Sequence, residues 1–163
     1  MEIITVATVV LTSLNAFNND CGFVYNAEGS EDVVTSTLVY KKSGDGKYLS
    51  HHLKYNYTYD DQQRLVKKEA LKWDLYSEKW EKSYCLNYEY NDFGYSIEYA
   101  LWNKSQSDYA DVVAKQTYDE KIDGAVGMAS YKWDKADKNW IMQDNIVMLN
   151  PGERLFSSLE LQF

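Results

Sequence analysis

Three frames of equal length, each opened and closed by a large aromatic residue, constrain the fold of this chain more than any other feature. Trp73-Asp74 precedes five residues and Trp80, Trp102-Asn103 precedes five residues and Tyr109, and Trp133-Asp134 precedes five residues and Trp140. The frames open 29 and 31 residues apart (73, 102, 133), and all 5 tryptophans fall within them. A fixed period of this size marks a repeated supersecondary unit. Asp or Asn just past an aromatic bonds its own downstream backbone and tolerates left-handed conformations, so it starts a tight turn. Pairing the two aromatics across strands leaves about four residues for the loop, a common hairpin length. Facing aromatics across an antiparallel pair add about 0.2–1 kcal/mol each. The repeating unit reads as a β-hairpin.

A second motif interleaves with the first. Tyr57-Thr58-Tyr59-Asp60 leads to Arg64-Leu65, and Tyr88-Glu89-Tyr90-Asn91 leads to Asp92-Phe93-Gly94. Tyr118-Asp119 with Asp123-Gly124, and Leu149-Asn150-Pro151-Gly152 with Arg154-Leu155, are variants. Between turns the bulk alternates, through Leu49, His51, Leu53, Tyr55, Tyr57 and Tyr59, and again through Trp80, Tyr84, Leu86, Tyr88 and Tyr90. Period 2 over such lengths predicts strands with one buried face. Trp102 breaks phase with Tyr95, Ile97, Tyr99 and Leu101, which calls for a bulge or for packing on both faces. The fold class is therefore all-β: an antiparallel up-and-down meander of about nine strands built from hairpins. Their expected spans are 34–41, 47–59, 64–74, 79–90, 95–103, 109–118, 125–134, 139–149 and 154–162. Such a sheet is strongly twisted, and curling into a half-barrel or closing into a barrel both stay open.

The chain divides into residues 1–16, 17–33 and 34–163. Residues 1–16 have the length and apolar run of a signal peptide or its remnant, although Glu2 replaces the usual basic start and a buried strand is the alternative. Residues 17–33 read as an N-terminal extension and 34–163 as the hairpin domain. If the chain is exported, Cys21 and Cys85 either pair across a long loop or remain separate thiols.

Composition narrows the chemistry. With 17 Lys+Arg against 25 Asp+Glu the net charge is -8, which excludes nucleic acid as a partner. Charged residues such as Lys54, Lys68, Lys72, Glu81, Glu89 and Lys132 on the strands argue against a lipid-facing span. His51 and His52, the only histidines, are adjacent on a strand and point to opposite faces, so they form neither a dyad nor a metal pair. Ser43-Gly44-Asp45-Gly46-Lys47 resembles a phosphate loop but joins two strands, and reads as a hairpin turn. Asp60, Asp61, Asn91, Asp92, Asp119, Glu120 and Asp123 fall in turns without the spacing of a calcium loop. No catalytic residues, cofactor or metal ligands are assigned.

The Tyr-x-Tyr-Asp, Arg-Leu and Trp-Asp frames over residues 35–160 resemble a family of small secreted proteins of unknown function from Bacteroides-type bacteria. The Tyr59-Asp60 to Arg64-Leu65 turn is also similar to the YD repeats of large bacterial shell proteins, which have a shorter period and lack the paired tryptophans. The first resemblance implies export to the periplasm or exterior, an all-β fold and an unassigned role. The expectation is a non-enzymatic binding or structural module at the cell envelope, with a protein or glycan as partner. Its contact surface would be Trp73, Trp80, Trp102, Tyr109, Trp133 and Trp140, unless these rings form the core. The rivals are a carbohydrate-active enzyme using an acidic pair in an aromatic cleft, and a barrel carrying an apolar ligand.

Overall fold

The computed structural model describes residues 22–30, 33–122 and 125–149. Nine strands follow one another: β1 (Phe23–Gly29), β2 (Val34–Lys42), β3 (Leu49–Tyr59), β4 (Leu65–Asp74), β5 (Lys79–Asn91), β6 (Gly94–Asn103), β7 (Asp108–Ile122), β8 (Ala125–Asp134) and β9 (Asn139–Leu149). They form one sheet in chain order, each strand beside its sequence neighbours, as a hairpin-built chain requires. β1 and β9 end that order, so among the described residues the sheet is open and no barrel closes. β1 is the strand that the alternation pattern does not announce, since Phe23–Gly29 falls in the stretch expected to be an extension. It pairs with β2 from Phe23↔Lys41 to Gly29↔Val34. The leader, Cys21, the Asp123-Gly124 turn and the expected strand at 154–162 lie outside the described residues.

The strands fall into two compact units. One takes Ala100–Asp111 with the described residues up to Asn87, and the other takes Tyr88–Tyr99 with those from Val112 onward. In the first, Val34, Leu38, Val39, Leu65, Ala70, Cys85 and Ala100 are buried. The second buries Tyr88 and Ala125. Among the described residues no helix covers the sheet. The fully enclosed side chains, Ala70, Cys85 and Ala100, are small ones sunk between larger neighbours, and Cys85 is the largest of them. Ala70 shows how: it stands between Tyr55 on β3 and Tyr84 on β5. Over the Tyr55 ring lies the Lys68 ammonium, at 4.2 Å.

Bulges decide which face each ring occupies. The β2–β3 register steps from Val39↔Leu53 to Tyr40↔His51, leaving His52 as the extra residue. In β4–β5 it steps from Ala70↔Tyr84 to Leu71↔Lys82 and leaves Ser83, and in β8–β9 from Ser130↔Asp144 to Tyr131↔Met142 and leaves Gln143. A bulge resets the alternation. His51 therefore shares a face with Tyr40, and Trp80 with Trp73, while Leu53 and Tyr84 lie on the other side. Sequence alternation through Leu49–Tyr59 and Trp80–Tyr90 had placed each series on a single face. The register corrects that, because a bulge residue looks like any other strand residue in one dimension.

Candidate functional site

The aromatic frames become three hairpin ends of one construction. Trp73 is directly opposite Trp80 and Trp133 opposite Trp140. Ring centroids are 5.0 Å apart in the first pair, 5.2 Å in the Trp133–Trp140 pair and 4.9 Å for Trp102–Tyr109, all near-perpendicular at 65–67°. Edge-to-face packing is the favoured arrangement for such pairs and adds about 0.5–1.5 kcal/mol beyond area burial. The Asp or Asn between strand and loop ties each turn. Asp74 accepts from the Tyr76 N–H at 2.9 Å and the Ser77 hydroxyl at 2.8 Å, and Asp134 accepts from Ala136 N–H at 2.8 Å. Asn103 Oδ1 accepts from the Ser105 N–H at 3.0 Å, the Ser105 hydroxyl at 2.6 Å and the Gln106 N–H at 3.2 Å. Each loop then needs a left-handed residue, supplied by Glu78, Ser107 and Lys138 with φ of 51°, 53° and 50°. Asn103→Ala removes these three bonds together with the one its Nδ2 donates to Asp111 at 3.5 Å, and is expected to cost about 1–2 kcal/mol in thermal unfolding, without altering the strand content by circular dichroism.

The six frame aromatics are neither core nor free surface: all are half-buried. Around Trp73 and Trp80 they extend into a row across four strands. Tyr40 lies 5.2 Å from His51, His51 lies 4.6 Å from Trp73 and 5.4 Å from Trp80. The same face carries hydrogen-bonding side chains, because Glu28, Ser36, Asn56 and Glu69 fall on that side of the register. Ser36 donates to Glu28 at 2.6 Å, and Lys54 pairs with Glu28 at 3.8 Å. His52, carried by the bulge, meets Phe23 at 5.2 Å instead. The two histidines thus address different neighbours.

Trp102 and Tyr109 differ from the other pairs. Lys82 sits 4.7 Å over the Trp102 ring and 5.7 Å from Tyr109, and Lys67 sits 4.9 Å over Tyr109. Glu69 binds the group together: it accepts from Tyr109 Oη at 2.9 Å and Asn56 Nδ2 at 3.4 Å, and pairs with Lys82 at 3.3 Å. Burial pushes the Glu69 carboxyl up, but the bonds from Tyr109, Lys82 and Asn56 outweigh it and hold the group below the usual carboxylate range. Burial and the Glu69 charge together push the Tyr109 phenol upward. These cations lie over the rings and, through Lys82, lock the pair to Glu69. Nothing in the sequence signals the part of Glu69 in the lock, since its partners Asn56 and Tyr109 lie 13 and 40 residues away.

The remaining candidates resolve into structure. Ser43–Lys47 is a hairpin loop, closed by Ser43 N–H to the Tyr48 carbonyl at 2.9 Å and by the Ser43 hydroxyl to Asp45 at 2.6 Å. Asp60 accepts from the Gln62 and Arg64 N–H groups at 2.9 Å each and pairs with Arg64 Nε at 2.7 Å. Among the described residues no three His, Cys, Asp or Glu side chains converge on a metal-sized site, and no helix is long and apolar enough to cross a membrane. Cys85 is enclosed on β5, with Asn87 Oδ1 at 3.7 Å from its sulfur.

Comparison with known proteins places the chain. Residues 1–120 match the family of unknown function DUF3836. The chain belongs to the DUF3836 family. A structure of unknown function from Bacteroides fragilis is similar to this DUF3836 chain with a TM-score of 0.67 at 22% identity, covering 80% of this chain and 95% of that one. That likeness shows a shared fold. DUF3836 structures from Bacteroides vulgatus (23% identity, TM-score 0.41, covering 78% of this chain and 98% of that one) and Parabacteroides distasonis (16%, 0.41, 82% and 95%) also match. None of the curated proteins matches this DUF3836 chain.

Proposed function

We propose that this DUF3836 chain is an exported, non-enzymatic binding module of the bacterial envelope, and that it holds glycans against the row of Tyr40, His51, Trp73 and Trp80. One observation carries the reading: four rings stand in a row on one sheet face, with His51 exposed and the others half-buried, and their own indole, imidazole and phenol groups supply hydrogen-bonding atoms. Apolar rings with a few placed hydrogen-bonding groups are what a saccharide, apolar on its ring faces and polar at its rim, requires. Tyr76 and Leu75 project beside the row, fully exposed in the case of Tyr76 at 100%.

The test is a glycan array probed with the full chain, followed by titration of any hit using tryptophan fluorescence. Trp73→Ala is expected to weaken binding by about tenfold or more, the loss typical of an aromatic anchor. Lys82→Gln, on the locked pair, is expected to leave affinity unchanged. A blank array, or a hit indifferent to Trp73, removes the glycan reading.

A further inference from the structure

We propose that the groove at the tip of the β8–β9 hairpin binds the carboxylate of an acidic sugar unit. The groove has a volume of about 390 Å³ and is lined by Lys132, Trp133, Asp134, Lys135, Ile141 and Gln143. That size lies within the range of small-molecule sites, about 300–1,000 Å³. Lys132 stands opposite Ile141 across the ladder, and Ile141 is 45% exposed, so a charged and an apolar side chain lie side by side on one sheet face. Gln143 is the bulge residue of β9, and its amide nitrogen donates to the Ile141 carbonyl at 3.4 Å. Asp134 is committed to the loop, where Oδ1 accepts from Ala136 N–H at 2.8 Å and Asp137 N–H at 3.4 Å. Neither Lys132 nor Lys135 has an ion-pair partner among the described residues.

The other two hairpin ends make this one distinctive. At the β4–β5 tip the positions corresponding to Lys132, Lys135 and Ile141 hold Lys72, Leu75 and Glu81, and Glu81 stands directly opposite Lys72. At the β6–β7 tip they hold Leu101, Lys104 and Ala110, and Lys104 is paired with Glu81 at 2.9 Å. At the β8–β9 tip neither lysine is ion-paired, and the groove lining sets two lysines against the single carboxylate of Asp134, a positive balance in a chain whose net charge is -8. Two ammonium groups outnumbering one carboxylate, beside an apolar side chain and an amide, match a carboxylate carried on a compact ring with hydroxyls and a C–H face, the chemistry of a hexuronic acid residue. A neutral sugar leaves both lysines unused.

The inference rests on the glycan reading, and the experiment separates the two. The full chain is titrated calorimetrically with a galacturonic acid trisaccharide and with its neutral galactose counterpart, in low and in raised salt. The acidic trisaccharide is expected to bind about tenfold tighter, the margin of one charge-assisted contact, and to lose that margin as salt rises. Lys132→Gln with Lys135→Gln, at exposed positions, is expected to abolish the preference and leave the neutral sugar's affinity unchanged. Equal binding of both sugars overturns the inference while the glycan reading stands. An acid preference that survives the double substitution overturns the groove as its site. Binding of neither sugar overturns the inference, and the array result then decides the glycan reading by itself.

Discussion

Gly94→Ala is expected to lower the melting temperature by roughly 10 °C, a loss on the order of 3 kcal/mol in a chain of this size. Gly94 opens β6 directly after the two-residue turn Asp92-Phe93, in which Asn91 Oδ1 accepts from the Phe93 N–H at 2.8 Å. The residue is buried, and a Cβ built on it collides with the carbonyl oxygen of Tyr118 on β7. The obstacle is backbone, which cannot swing aside as a side chain would, so the ladder itself must shift. Tyr95 adds to the penalty, because its ring stacks on Tyr118 at 4.7 Å and 16° and must move with it. Gly44→Ala is the control: nothing lies within 4 Å of a Cβ there, and its melting temperature is expected to stay within about 1–2 °C of the parent. A tolerated Gly94→Ala, measured by the same thermal melt, would sink this account of the β6–β7 approach.

The second large effect is alkaline unfolding. Burial raises the phenols of Tyr55, Tyr57, Tyr59, Tyr95 and Tyr109 above the ordinary value near 10, with Tyr59 pushed up to about 12. In Tyr55 the neighbouring Tyr84, and in Tyr59 the neighbouring Tyr57, add to burial. A raised phenol means that the folded chain holds its proton where the unfolded chain releases it. The stability these groups contribute is therefore complete below pH about 10 and is lost as pH climbs toward 12. A titration followed at once by tyrosinate absorbance and circular dichroism is expected to show two steps. The raised phenols of Tyr55, Tyr57, Tyr59, Tyr95 and Tyr109 ionise in the later step, together with loss of the strand signal. Independent ionisation of all tyrosines near pH 10 would show that the rings are not packed as described.

Turns were readable in the sequence because their chemistry is local. An Asp or Asn acceptor, its loop and the closing aromatic all lie within eight residues, and Asp74, Asn103 and Asp134 make the bonds that the spacing demands. Eight of the observed strands sit where alternation puts them, with ends within two residues for β2 to β6, β8 and β9. β7 runs four residues past its expected end, through Ile122. β1 was illegible, since Phe23–Gly29 carries mixed burial and no flanking turn motif, and is held by its ladder to β2. The bulges at His52, Ser83 and Gln143 were illegible for a different reason: an inserted residue alters the parity of a strand without altering its composition. In the observed register Trp73 opposite Trp80 and Ala70 opposite Tyr84 have position sums that differ by one, and only a bulge between them reconciles the two. The half-exposed state of the aromatic pairs was undecidable from pattern, for it depends on how much of each ring its neighbours in the folded sheet cover. The Glu69 lock depends on residues brought together only by the fold.

The strictly consecutive strand order has a consequence for how such a chain is made and how it changes. Each new strand closes only the short loop to its predecessor, so the entropy lost per step stays small and nearly constant along the chain. Assembly can start at any hairpin and spread by accretion, without a distant segment having to be found. A whole two-strand unit can then be gained or deleted at either end without rethreading the others, which makes length, more than topology, the quantity free to vary between such proteins.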